Sequence, residues 1–140
     1  MLLMASRAVS AEIKVGEATV YSGKKLRTGE GKTTCELSKQ WQNRQAILSE
    51  KDLENVKDPC NKCVVINGVA TSDNSRRFNN GVYAKIADVC SGKECEQGSL
   101  RLSSSVMKAI ASNSQNASPV VDWEIVNCPR TSNLRGRKNI

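Results

Sequence analysis

Six cysteines in a chain of 140 residues constrain the fold more than any other feature of the sequence. Because the chain has only two Trp, two Tyr and one Phe, its core must be built mainly from Val, Ile, Leu and Ala. A single domain of this length buries a modest core, and disulfides compensate by restricting the unfolded chain. The even number predicts three disulfides formed in an oxidising compartment, although the count alone leaves fifteen pairings open.

Two alternatives to structural disulfides exist for the closely spaced Cys60 and Cys63: a redox pair or half of a zinc site. It runs directly into the apolar residues 64–66, which predict a strand, whereas redox pairs sit at helix N-termini that lower the thiol pKa. A zinc site needs a second cysteine pair or histidines, and the chain has no histidine. We therefore predict structural disulfides, no metal and no cofactor. Cys90 and Cys95 can close a small loop on each other, which leaves four cysteines to tie the early loop and the last strand to the middle of the chain: Cys35, Cys60, Cys63 and Cys128.

Residues 81–90 alternate with a period of two, which predicts a strand. Val82, Ala84 and Ile86 share one face, and Asp88 is next in that alternation. An acid at a strand end, beside a cysteine, is held in a defined position. From the residues alone it is either a general acid or a carboxylate that accepts backbone N–H bonds.

The rest of the pattern predicts short strands and one helix. Strands are expected at 13–22, with a bulge at Gly16, and at 120–128. A hairpin is expected at 64–71 with its turn at Asn67-Gly68, and another turn at 79–81.

Residues 100–112 have helical spacing, with Ser103 as the N-cap. Ser49 opens a short helical turn in the long polar segment 37–56, whose apolar residues are expected to cover an edge of the sheet. The whole pattern favours a mainly β fold, either a small barrel or a sandwich.

Three parts are predicted along the chain. Residues 1–11 are the remnant of a signal peptide, because Val9 and Ala11 are small residues at the positions that a signal peptidase reads. Residues 12–129 form the domain, and residues 130–140 form a basic tail. No apolar run approaches the roughly 20 residues needed to span a bilayer. We expect a secreted, extracellular monomer with no membrane partner.

The net charge of +7 predicts attraction to anionic partners, such as acidic wall polysaccharide. Nucleic acid is not expected, because no binding motif is present and disulfides indicate a protein outside the cell. The loop 23–34 would favour acidic glycan through four cations: Lys24, Lys25, Arg27 and Lys32.

Hydrolysis of a glycosidic bond requires two carboxylates that flank the bond. Nothing in the pattern places Asp73, Asp122 or Glu124 opposite Asp88. For sugar binding, Tyr21 and Tyr83 are the better candidates for surface rings. Trp123 alternates with apolar residues, and we expect it in the core.

Four segments, in order, resemble the expansin-like and barwin-like proteins of the rare-lipoprotein-A-like superfamily. They are 16–21 (Gly-Glu-Ala-Thr-Val-Tyr), 60–66 (Cys-Asn-Lys-Cys-Val-Val-Ile), 86–90 (Ile-Ala-Asp-Val-Cys) and 123–128 (Trp-Glu-Ile-Val-Asn-Cys). Residues 98–103 also resemble the segment before the family's helix, although Arg101 stands where the family usually has Asp. The resemblance implies a disulfide-stapled, six-stranded double-psi β-barrel with one or two short helices and a groove across one face.

The resemblance also implies disulfide pairs and groove residues. It pairs Cys35 with Cys60 and Cys63 with Cys128, and Cys95 replaces the family's own partner for Cys90. It makes Asp88 the groove aspartate, with Thr19 and Tyr21 lining the same groove.

Two departures from related enzymes argue against cleavage. Inverting endoglucanases carry a second aspartate where this chain has Thr19 to Tyr21, and related glycan lyases use a histidine that this chain lacks.

We therefore predict an expansin-like protein that binds cell-wall polysaccharide without hydrolysis, through a groove of Thr19, Tyr21, Tyr83 and Asp88. The alternative is a protein-binding module, such as a secreted effector or an inhibitor of a cysteine protease, with contact surfaces at 37–58 and 71–80. A third hypothesis is a glycan-cleaving enzyme in which Asp88 is the lone acid.

Overall fold

The computed structural model describes residues 12–21, 35–70, 75–92, 95–110 and 119–130, and only the backbone of residues 75, 76 and 79. Several predictions lie outside the described residues. They are the leader (1–11), the four cations of the loop 23–34, Asp73, and the basic tail beyond residue 130.

Six strands form a closed barrel in the described part of the chain. They are β1 (Lys14–Val20), β2 (Gln45–Ser49), β3 (Lys62–Ala70), β4 (Ser75–Cys90), β5 (Leu100–Leu102) and β6 (Val120–Asn127). Around the barrel the order is β1-β5-β2-β4-β3-β6. β1 runs parallel to β5 and β2 runs parallel to β4, while the other four pairings are antiparallel. This confirms the predicted mainly β, six-stranded double-psi barrel.

Short helical elements complete the described fold. The α-helix α1 covers Ser104–Ile110, and 3₁₀ turns cover Lys39–Trp41, Glu50–Leu53 and Pro59–Asn61. The Ser49 hydroxyl accepts a hydrogen bond from the Lys51 N–H at 3.2 Å, so the helical turn predicted after Ser49 is confirmed.

The core lies inside the barrel, because alternate residues of each strand point inward. The largest fully buried side chains are Trp123, Leu48, Ile66, Ile86, Leu100, Leu102 and Ile110. Each buried aliphatic side chain contributes about 1.5–3 kcal/mol. Trp123 lies in this core as predicted, and its indole N–H donates to the Gly98 carbonyl at 2.9 Å.

Part of the segment 37–56 is a strand of the barrel and does not cover a sheet edge. Its residues 45–49 form β2, which lies between β4 and β5, with Ala46 and Leu48 fully buried. The prediction is wrong because a run of only three apolar residues becomes a central strand through two partners that are distant in sequence. Residues 46–49 of the proposed contact surface 37–58 are therefore buried, whereas residues 38–40, 42 and 43 of it are exposed.

No hairpin turns at Asn67-Gly68. β3 continues through these residues, with a register shift between Ile66 and Gly68 against both of its neighbours. Ile66 pairs with Val82, and Gly68 pairs with Arg77. The chain therefore advances five residues along β4 for two residues along β3, so β4 contains three additional residues at this point. The turn predicted at 79–81 is therefore a bulge inside β4.

Gly16 does not form a bulge either, because its register with β6 is continuous from Lys14 to Glu17. A Cβ at position 16 would lie 2.1 Å from the Gly98 carbonyl oxygen. Gly98 has a φ of +90°, and a Cβ there would lie 2.5 Å from the Val15 carbonyl oxygen. The two glycines allow β1 and the loop before β5 to approach backbone to backbone.

Residues 100–102 form β5 and are not the first turn of the helix, which begins at Ser104. The Ser103 carbonyl accepts the first helical bonds, from Val106 and Met107, at 3.0 Å each. Its hydroxyl does not cap the helix. It donates to the Asn43 carbonyl at 2.9 Å and accepts from the Gln45 N–H at 3.0 Å, so it ties the helix start to β2.

Three disulfides join Cys35 to Cys60, Cys63 to Cys128 and Cys90 to Cys95. These are the pairs that the resemblance implied. Disulfides of this kind persist in oxidising compartments. No helix among the described residues is long and apolar enough to cross a membrane. The described side chains also include no group of three or more His, Cys, Asp or Glu placed to hold a metal ion.

Candidate functional site

Asp88 does not continue the inward alternation of β4. Ala46 on β2 pairs with Ile86, but the next residue, Ile47, pairs with Asp88, so Ala87 is an extra residue. A bulge of this kind turns the following side chain to the other face of the strand. Asp88 therefore shares the outer face of the barrel with Ile47, and its expected place beside Val82 and Ile86 is wrong.

Four side chains form a row across the outer face of four strands. Thr19 pairs with Arg101, Arg101 pairs with Ile47, and Ile47 pairs with Asp88. At about 4.8 Å between neighbouring strands, the row spans about 14 Å. We call these four residues, together with Tyr21, the outer groove.

The exposure of these side chains differs along the row. Asp88 and Ile47 are each 6% exposed, whereas Thr19, Arg101 and Tyr21 are half-buried. One Asp88 carboxylate oxygen accepts the Val89 N–H at 2.8 Å, so part of its role is to hold the strand end.

Tyr21 lies two residues after Thr19, and alternation places both side chains on the same face. Its N–H donates to the Leu102 carbonyl at 3.1 Å, which extends the pairing of β1 with β5. Its hydroxyl donates to the Gln45 side-chain oxygen at 2.5 Å, and the Gln45 amide donates to the Gln42 carbonyl at 2.7 Å. The phenol is therefore oriented by an amide that is itself held.

The electrostatics of the groove connect Tyr21 with Asp88. Burial and, second, the negative charge of Asp88 raise the pKa of Tyr21 to about 12. Both effects disfavour the phenolate, because one removes water from it and the other repels it. Tyr21 is therefore a neutral hydrogen-bond donor across the whole physiological range.

Tyr83 lies apart from the other predicted groove residues. It is half-buried on β4 and pairs with Val65, five positions before Asp88, which is about 16 Å of strand. The structure brings Thr19, Tyr21 and Asp88 to one face and does not bring Tyr83 beside them.

Two of the three acids considered as partners for Asp88 are engaged elsewhere, and the third, Asp73, lies outside the described residues. Asp122 and Glu124 lie on β6, which is separated from β4 by β3. Asp122 pairs with Arg77 at 2.9 Å, and Glu124 accepts from the Asn67 amide at 3.1 Å. Two-carboxylate hydrolysis requires separations of about 5–9.5 Å. Glu124 and Tyr83 both pair with Val65, so Glu124 is displaced from Asp88 along the strands by as much as Tyr83 is. Its distance from Asp88 therefore exceeds that range.

Sequence reasoning missed Gln45 and Ile47, because both lie in β2, where no strand was predicted. The run of three apolar residues in 45–49 is the signal that could have found them, but it is short. Lys85 is in register with Gln45 on the neighbouring strand. Its ammonium group donates a hydrogen bond to the Cys60 carbonyl, and burial lowers the pKa of Lys85.

Comparison with solved structures finds the same barrel in an expansin from Clavibacter michiganensis. The apo structure matches 84% of this chain with a TM-score of 0.55 and 21% identity. An aspartate-to-asparagine variant of that protein, in complex with cellohexaose, matches 84% of the chain with a TM-score of 0.51 and 21% identity. The chain spans about half the length of these proteins, 52% and 51%. At this identity the likeness establishes the fold. No family model and no curated protein matches the sequence.

Proposed function

We propose that this protein is secreted and binds cell-wall polysaccharide through the outer groove, without cleaving it. The observation that carries the proposal is the alignment of Thr19, Arg101, Ile47 and Asp88 in one row beside Tyr21. Support comes from the expansin fold, since one of the matched structures is a complex with cellohexaose. The three disulfides support secretion.

The groove residues supply complementary chemistry for sugar hydroxyls. Thr19 donates or accepts one hydrogen bond, and the Arg101 guanidinium donates several. The neutral Tyr21 hydroxyl keeps its oxygen lone pairs for a sugar O–H while it donates to Gln45. Asp88, which is largely buried, acts as a charged acceptor, and its negative charge adds to the effect of burial in disfavouring the Tyr21 phenolate.

Binding without cleavage is supported by the positions of the acids. A glycosidase of the usual kind needs a second carboxylate across the bond. Asp122 and Glu124 are held by partners on the β3–β6 side of the barrel. Asp88 is then a binding residue and not a general acid.

The positive net charge should favour acidic wall polymers at low salt. The attraction between the net charge and an acidic polymer is long-ranged and does not depend on the groove. It should weaken as ionic strength rises, while the hydrogen bonds in the groove persist.

Retention on cellulose, xylan, chitin and pectin tests the proposal, at low and at physiological salt. Asp88→Asn preserves the shape of the acid and tests its charge, and Tyr21→Phe removes one hydroxyl. Tyr83→Phe is the matched control, because Tyr83 lies outside the groove. We expect both groove variants to lose retention about threefold to tenfold per lost interaction, with no release of reducing ends.

Circular dichroism must show that each variant is folded. The proposal is overturned when the wild-type protein binds none of the four polymers at low salt. It is also overturned when folded Asp88→Asn and Tyr21→Phe bind as tightly as Tyr83→Phe. Release of reducing ends that depends on Asp88 would replace binding with cleavage.

A further inference from the structure

A polar pocket continues the outer groove beyond Tyr21. It has a volume of about 380 Å³, and in the described part of the chain it is lined by Tyr21, Gln42, Asn43, Gln45 and residues 103–105. This volume is in the range of small-molecule sites. The pocket shares Tyr21 with the groove, so one extended ligand can contact both.

The walls of this pocket are held by internal hydrogen bonds. The hydroxyls of Ser103 and Ser105 both donate to the Asn43 carbonyl. Gln45 accepts from Tyr21 and donates to the Gln42 carbonyl. A wall fixed in this way loses little conformational entropy when a ligand binds.

Several polar groups of the pocket keep hydrogen-bonding capacity. Within the described residues, the side-chain amides of Gln42 and Asn43 and the Ser104 hydroxyl have no hydrogen-bond partner. Gln42, Asn43 and Ser104 are also exposed. Each amide offers two donors and one acceptor oxygen, which matches adjacent sugar hydroxyls.

The chemistry of the lining selects the class of ligand. None of the seven described lining residues carries a charge, since they are one phenol, three amides and three hydroxyls. A uronic acid carboxylate is best bound by Arg or Lys. We infer that this pocket is a subsite for an uncharged pyranose unit of the polysaccharide. The inference rests on the proposed function, and it expects no direct contact between the ligand and a positive charge among the described residues that line this pocket.

Titration calorimetry with cellohexaose and with trigalacturonate, at physiological salt, tests the inference. Asn43→Ala and Gln42→Ala should each weaken cellohexaose binding about threefold to tenfold. Asn61→Ala and Gln40→Ala are matched controls, because both residues are exposed and neither lines the pocket; they should bind as the wild type does. The loss should shrink for cellotriose, which is too short to fill the groove and the pocket together.

Amide NMR signals separate failure of the subsite from failure of the groove. We expect cellohexaose to shift both the side-chain amides of Gln42 and Asn43 and the backbone amide of Val89, next to Asp88. Shifts at Val89 alone, with unchanged affinity in Asn43→Ala and Gln42→Ala, leave the groove and overturn the subsite. Shifts at Asn43 alone, with full affinity in Asp88→Asn, keep the subsite and overturn the groove.

Two further outcomes overturn the inference. Absence of any shift overturns both proposals. Tighter binding of trigalacturonate than of cellohexaose, lost in Asn43→Ala, overturns the uncharged class of ligand.

Discussion

The electrostatic interaction between Tyr21 and Asp88 can be tested without any ligand. The pKa of Tyr21 is raised to about 12, by burial first and by the charge of Asp88 second. Asp88→Asn removes the charge and keeps the shape and burial of the side chain. Since the charge is the smaller cause, the pKa of Tyr21 should fall less than half of the way from about 12 towards 10.0.

The assay uses the fact that the chain has only two tyrosines. In the Tyr83→Phe background, Tyr21 is the single phenol, and near-ultraviolet absorbance of tyrosinate reports its titration alone. Circular dichroism at each pH identifies the range in which the protein is folded, and pH-jump measurements extend it. Asp122→Asn is the control, because that acid is paired with Arg77 on the other side of the barrel.

The sign of the linked stability follows from the same pKa. Because the folded pKa is raised, the stabilising contribution of neutral Tyr21 is fully present below about pH 10. It is lost as the pH rises through about 12. Tyr21→Phe should therefore lose less stability over this alkaline window than the wild type. An unchanged Tyr21 titration in Asp88→Asn would refute the electrostatic influence of Asp88 on Tyr21, and a fall of the pKa all the way to 10.0 would refute burial as the main cause.

Three further predictions concern the packing that holds the groove strands. Gly16→Ala should lower the free energy of unfolding in denaturant by about 1–3 kcal/mol or more, because a Cβ there meets the Gly98 carbonyl; an unchanged midpoint would contradict this close approach. Trp123→Phe should cost about 1–3 kcal/mol, since it leaves the Gly98 carbonyl without its donor, and a smaller loss would show that the bond is dispensable. Asp52→Ala should cost about 2–4 kcal/mol by thermal or chemical unfolding, because buried Asp52 accepts the Gly98 N–H at 2.7 Å and lies 3.6 Å from the Lys14 ammonium; a neutral result would mean that neither interaction contributes.

Local pattern was sufficient where a strand is marked by its own residues. β1 and β6 lie within the segments 13–22 and 120–128 that were predicted as strands, and the core position of Trp123 follows from its apolar neighbours. The disulfide pairs came from the resemblance, because spacing alone could not choose among them. The glycine that opens the segment 16–21 was noticed for the wrong reason, since its role is the contact with Gly98.

Pattern failed where partners distant in sequence determine the structure. β2 is a strand because β4 and β5 pair with it on its two sides. Asn67-Gly68 is extended because it lies in β3, which pairs with β4 and β6 on its two sides. The outward turn of Asp88 depends on a bulge relative to β2, which the alternation of β4 alone does not reveal. Thr19 was found through the resemblance, and Tyr21 both as a candidate surface ring and through the resemblance, whereas Gln45 belongs to a strand that was not predicted.

The order of strands around the barrel also determines when the chain can fold during synthesis. β1 has β5 and β6 as neighbours, so its first pairing partner begins at Leu100. β2 likewise waits for β4 and β5. A nascent chain therefore emerges with β1 and β2 unpaired. The long loops that separate these strands from their partners must close, at a cost in conformational entropy, before the strands can pair. We expect slow, cooperative refolding, and fragments that end before Val120 should aggregate because β1 and β3 each lack a neighbour.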